Sequence, residues 1–152
     1  MKKMLLIGAV CFLALIAWTG LVYAQTAKPA EVKLLKLPNG QEVFDISGEW
    51  DVLVESYGEF AIFGTYTNVA RMTIRESDSS FHAVRMNANP PPSSRAAGSL
   101  IVIGNLDKNG ITKLDVIAGS AGSVPGTWQI SENGNKINVD APNRSRITFT
   151  RK

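Results

Sequence analysis

The chain predicts an all-β fold, a single eight-stranded antiparallel up-and-down barrel, and three features of the sequence predict it. From Gly48 onward, apolar and polar residues alternate in short runs at roughly twelve-residue spacing, the mark of half-buried strands. No window is long and periodic enough to argue for a helix of any length. The links between the runs alternate short and long, as a meander requires.

The elements follow in order. Met1-Lys2-Lys3, an apolar run from Met4 to about Trp18 and the small-residue exit Val22-Tyr23-Ala24 predict a secretory signal peptide over residues 1–24. An uncleaved anchor is the alternative, because Met4 to Tyr23 is long enough to span a bilayer. Cleavage after Ala24 is the expectation, with no membrane span after it, and the product is periplasmic or secreted. Residues 25–47 read as an N-terminal linker with short extended pieces around the Pro38-Asn39-Gly40 turn, and residues 48–152 as the barrel domain. Within the barrel, Glu49–Tyr57 places Trp50, Val52 and Val54 on one face. Val69–Glu76 places Ala70, Met72 and Ile74 opposite Arg71, Thr73 and Arg75. The remaining strands are Phe81–Asn87, Ser99–Leu106, Ile111–Ile117, Thr127–Ser131, Lys136–Asp140 and Arg146–Arg151.

Ser77–Ser80, Asp107–Gly110 and Glu132–Asn135 are tight links, two of them with the Asn-Gly hairpin signal. Gly58–Asn68, Ala88–Gly98 with its three consecutive prolines, Ala118–Gly126 and the shorter Ala141–Ser145 form the other set. One end is therefore tightly stitched and the other is a rim of longer loops. A β-sandwich is the alternative, but a Greek-key sandwich needs crossing connections that the tight links do not supply. Eight strands close around an interior that side chains fill or that holds one small ligand.

Composition narrows the function. Cys11 is the only cysteine and lies in the leader, so the mature chain needs neither disulfides nor a thiolate metal site. The remaining 128 residues suffice for one domain with its own core. Removing Lys2 and Lys3 from 16 basic residues leaves 14 against 13 acidic ones, a net charge of +1. No basic stripe forms, which argues against a nucleic-acid partner.

Gly48-Glu49-Trp50 at the start of the first barrel strand, with Arg151 ending the last, resembles the lipocalin and wider calycin superfamily of eight-stranded meander barrels. The resemblance spans residues 48–151. It implies that Trp50 closes the barrel floor after Gly48, that Arg151 packs across it, and that the long first loop partly lids a cavity. The chain departs from the family in lacking the disulfide common in its secreted members and any helix pattern after the barrel. Parity and topology point the same way for Trp50 and Arg151: both sit on inward phases at the stitched end, on strands that pair if the barrel closes.

Tyr57, Phe60, Phe63 and Tyr66 crowd the first rim loop, where a polar turn would suffice. They either line and lid an apolar ligand site, built mainly from aromatics as such sites are, or plug the barrel mouth as core. His82, the only histidine, shares parity with Val84 and Met86 and is read onto the inner face, as a satisfied core residue or a ligand contact; Met86 lines the cavity or fills a gap. Ala118-Gly119-Ser120-Ala121-Gly122 resembles a nucleophile elbow in spacing only, because no helix follows. With one histidine and no dense carboxylate cluster, no metal, cofactor or catalytic set is expected. The expected function is an exported, non-catalytic barrel binding a small apolar or amphipathic ligand. The alternative is a protein-interaction module, an envelope assembly factor or secreted inhibitor, whose rim loops meet an envelope protein.

Overall fold

A computed structural model describes residues 33–119, 122–131 and 133–152 of the chain. The expected leader, the front of the expected linker, Ser120, Ala121 and Glu132 lie outside the described residues. Two short strands, β1 (Leu34–Lys36) and β2 (Glu42–Phe44), form a hairpin. They precede β3 (Gly48–Ser56), a 3-10 helix (Gly58–Phe63), β4 (Thr65–Ile74), β5 (Ser80–Arg85), β6 (Leu100–Asp107) and β7 (Gly110–Ile117). Then come β8 (Ser123–Pro125), β9 (Thr127–Ile130), β10 (Lys136–Ala141) and β11 (Ser145–Arg151).

Strands β3 to β11 make one antiparallel sheet in the order β8-β7-β6-β5-β4-β3-β11-β10-β9. It is a meander in which β3 pairs with β11, curled into a nearly closed barrel. The seam is spanned by a single extended stretch, since β8 pairs with β7 (Val116 opposite Val124) and β9 with β10 (Val139 opposite Trp128). The expected sixth strand therefore starts four residues earlier, at Ser123 instead of Thr127. Gly126 is the joint. Its amide donates to the Leu114 carbonyl at 3.0 Å. A Cβ there would stand 2.8 Å from Leu114 Cδ2 and 3.2 Å from both Val116 Cγ2 and Val139 Cγ1. Only hydrogen fits where side chains from both flanking strands converge. Gly126→Val should lower stability by about 1–3 kcal/mol through overpacking, read as a fall in the urea midpoint, and an unchanged midpoint would show that the seam is slack.

The inner face carries Trp50, Val52 and Val54 on β3, Ala70, Met72 and Ile74 on β4, and Ile147 and Phe149 on β11, all buried. On β5 the inward set is Phe81, Ala83 and Arg85, which corrects the expectation for His82 and Met86. Residues directly opposite in an antiparallel pair share a face, and Ile74 faces Phe81 while Met72 faces Ala83. His82 accordingly stands between Thr73 and Ile103 on the outer face. Met86, whose amide donates to the Val69 carbonyl at 2.8 Å, continues that outer phase. On β6 a register shift opposite Ala83 and Val84 lets the consecutive Ile101 and Val102 both be buried, which accounts for its doubly apolar pattern.

Residues 34–46, expected as linker with short extended pieces, are the barrel's floor. Leu37, Val43, Phe44 and Ile46 are buried in the main core. The hairpin lies across the stitched end: β2 packs on β6 and β7, Gln41 Nε2 donates to Ser79 Oγ at 3.3 Å, and the Phe44 ring fills the space beside Gly134. The chain then turns upward at Gly48, whose φ of 117° is open to glycine and costly to other residues.

Trp50 and Arg151 complete this floor. They are direct partners in the β3–β11 register, and the Arg151 guanidinium carbon lies 4.5 Å from the indole centroid. Such a stack contributes about 0.5–2 kcal/mol. The same guanidinium donates to the Ser47 carbonyl (2.8 Å) and the Asp45 carbonyl (2.7 Å), while the Trp50 indole N–H donates to the Ile46 carbonyl at 3.0 Å. One cation thus ties the last strand to the segment that enters the first.

The Asp45 carboxylate is buried beneath this clamp. Burial pushes its pKa up, but hydrogen bonds from Ser47 and Lys33, whose Nζ lies 2.9 Å away, outweigh that and hold it below the ordinary carboxylate value. A depressed folded pKa gives stability that is present above the unfolded value and lost as pH falls through the folded one. Asp45→Asn should therefore lower stability at neutral pH, where the native carboxylate is ionised and bonded, and flatten the acid limb of the stability curve. Urea unfolding from pH 7 downward reads it, and an unaltered acid limb would remove Asp45 from the account.

Candidate functional site

The opposite end is open. There the 3-10 helix Gly58–Phe63 leans over the mouth and is pinned from below by Tyr57. The Tyr57 amide donates to the Arg144 carbonyl at 2.8 Å, and its hydroxyl lies 2.8 Å from Asp140 Oδ1 and 3.0 Å from the Ala141 carbonyl. The bond to the Asp140 carboxylate, with some burial, pushes the phenol pKa up. Gly58 completes the dock. Its φ is 58°, and a Cβ would stand 2.7 Å from the Asn143 carbonyl oxygen, so backbone rests on backbone. The helix has no buried residue: it is a cover and not core.

Beneath it lies a cavity of about 410 Å³, within the ordinary range for small-molecule sites. Phe60 and Phe63, with ring centroids 5.8 Å apart, and Tyr66 line one side. Val54, Ile101, Val116 and Ile147 make the apolar base. Of the aromatics expected at a ligand site, Phe60, Phe63 and Tyr66 are brought together here, whereas Tyr57 serves as the pin. His82 and Met86 do not reach the cavity, for the register reason given above. Gly48, Trp50 and Arg151 stand at the other end of the barrel.

The sequence reading missed the cationic wall. Arg85, Arg95 and Arg144 all line the cavity, and among the described residues its lining includes no Asp or Glu. Arg85 is only 7% exposed. It donates from Nη1 to the Leu100 carbonyl (2.7 Å) and Ser99 Oγ (3.2 Å), and from Nε to Asn89 Oδ1 (3.2 Å). Asn89 in turn accepts from Asn68 Nδ2 (2.7 Å) and donates to Ser93 Oγ (2.9 Å), which holds the loop after β5 against β4. Burial pushes the Arg85 pKa down, the neighbouring Tyr66 offsets part of that, and the Arg95 charge adds to the depression. The signal was present in the alternation Phe81-x-Ala83-x-Arg85, whose inward phase is fixed by pairing with Ile74.

Arg144 stacks on the lid, its guanidinium carbon 4.5 Å from the Phe60 centroid. Its Nη1 is buried, with no hydrogen-bond partner among the described residues. Arg95 lies against the backbone of Gly119, where no Cβ would fit. The cup is therefore aromatic on one side, aliphatic below and cationic across the rim.

Among the described residues no group of three or more His, Cys, Asp or Glu is placed to hold a metal ion, and no helix is long and apolar enough to cross a membrane. The fold and this site define an antiparallel β-barrel with a plugged floor and an open, arginine-rimmed cup. Comparison with protein-family models, curated proteins and solved structures gives no match.

Proposed function

We propose that this chain is an exported, non-catalytic barrel that binds a small apolar or amphipathic molecule in the cup at its open end. The carrying observation is the cavity of about 410 Å³ under Phe60 and Phe63. An aromatic lid with no buried residue of its own has its apolar area left for something else to cover. The resemblance of Gly48-x-Trp50 and Arg151 to the lipocalin pattern supports the reading, since barrels of that kind are closed at one end and loaded at the other. A partner-binding module with a filled barrel is less well supported, because several hundred cubic ångströms of interior stand open beneath the rim. The leader-like residues 1–24 support export.

Titration with N-phenyl-1-naphthylamine, an uncharged probe that brightens in apolar surroundings, tests the binding reading. A saturable one-to-one enhancement is expected; no enhancement at probe concentrations up to its solubility would overturn it. The denatured mass of protein recovered from a bacterial envelope tests export, with loss of residues 1–24 expected.

A further inference from the structure

The three cup arginines stand out against the rest of the molecule. Elsewhere six cations sit beside acids: Lys33 on Asp45 (2.9 Å), Arg71 on Glu49 (2.9 Å), Arg75 on Asp78 (3.5 Å), Lys113 on Asp115 (3.4 Å), Arg146 on Asp140 (3.7 Å) and Lys152 on Asp51 (3.5 Å). Arg85, Arg95 and Arg144 have no acidic partner among the described residues, although all three line one cavity and Arg85 is buried. Charges are seldom buried without a counter-charge, and like charges at one site repel unless something of opposite sign joins them.

Two details show a built site. Arg85 is fixed from behind by Asn89, Ser99 and the Leu100 carbonyl, so its fork is set before anything binds. Arg144 carries a fully buried nitrogen with no acceptor among the described residues. A buried donor without a partner is rare enough to need one, and the acceptor that satisfies it while neutralising the cluster is an anionic oxygen. Guanidinium groups match planar carboxylates and phosphate oxygens in two-point geometry. The apolar base formed by Val54, Ile101, Val116 and Ile147, with the rings of Phe60 and Phe63, suits an alkyl or aromatic body attached to that head.

Resting on the ligand-binding reading above, we propose that the occupant of the cup is an amphiphile with an anionic head, a carboxylate, sulfate or phosphate, held between Arg85, Arg95 and Arg144 while its apolar body lies under the Phe60–Phe63 lid. Neutral amphiphiles of the same length leave the arginines uncompensated and bind more weakly. Cationic ones are repelled.

The test is competition of decanoate, decyl phosphate, decanol and decyltrimethylammonium against N-phenyl-1-naphthylamine on the mature chain. The proposal expects the two anions to displace the probe at least tenfold more tightly than decanol, and the cation to be weakest. Arg144→Gln and Arg95→Gln should each weaken the anions about 10- to 100-fold, the size of a lost charge-assisted hydrogen bond, and leave decanol within a few-fold. Both side chains lie at the rim, so either variant serves if the other fails to fold. Decanol binding as tightly as decanoate overturns the anion inference and leaves the ligand-binding reading standing. Failure of the probe and of all four compounds to bind overturns both. Inorganic phosphate binding as tightly as decyl phosphate overturns the amphiphile and leaves a site for a free anion.

Discussion

Trp50→Ala is expected to lower unfolding free energy by about 3–5 kcal/mol, the range for emptying a buried aromatic site, and the thermal midpoint by on the order of 10 to 25 °C for a domain of this size. The effect is large because the indole has three roles at once. It is wholly buried in the core, it donates to the Ile46 carbonyl, and it is the surface on which Arg151 stacks. Removing it leaves the Ile46 carbonyl without that donor and Arg151 without its platform, so the floor hairpin loosens along with the core. Arg151→Ala should cost less, since it forfeits the stack and two carbonyl bonds but little core volume. Arg151→Lys should fall between Arg151→Ala and the native chain, because an ammonium lacks the fork that reaches both the Asp45 and Ser47 carbonyls. Calorimetry of the four proteins checks the order, and an unchanged midpoint for Trp50→Ala would contradict the floor account.

The second large effect is on binding and spares the fold. Phe60→Ala combined with Phe63→Ala should weaken N-phenyl-1-naphthylamine binding by well over tenfold. Each ring contributes about 1.5–3 kcal/mol when fully covered, and 1.4 kcal/mol is a factor of ten. Stability should change little, because neither ring belongs to the buried core and the 3-10 helix has no buried residue. Urea unfolding beside the titration separates the two. A double variant that binds normally would place the probe elsewhere, and one that loses stability in proportion to binding would make the rings core.

Much of the architecture was legible because it follows from period-two alternation and loop length. Asn-Gly hairpins and four-residue links fix one end as stitched, and the long links then fall together at the other. The meeting of Trp50 with Arg151 follows from the same topology: a residue near the start of the first strand and the one at the end of the last strand must be neighbours if the sheet closes.

The phase of β5 was misread from a run in which both faces have apolar members. Yet the tight Ser77–Ser80 link pairs even-numbered residues of β4 with odd-numbered residues of β5. Once Met72 and Ile74 are inward, Phe81, Ala83 and Arg85 must be, and His82 and Met86 must not. Arg85 went unnoticed because a charged residue on an inward phase conflicts with the usual pattern, and such conflicts cluster at functional sites. The floor hairpin was illegible for a different reason: residues 34–46 have apolar positions too few and too short for a pattern, and only the empty end of a barrel makes them core. Arg95 and Arg144 come from loops whose approach no periodicity encodes.

The most direct measurement of the central claim is native mass spectrometry of the mature chain equilibrated with a small excess of decanoate, beside the Phe60→Ala, Phe63→Ala double variant. The cup account predicts a one-to-one complex for the native chain, released on denaturation and much depleted in the variant. A bare polypeptide in both spectra would contradict it.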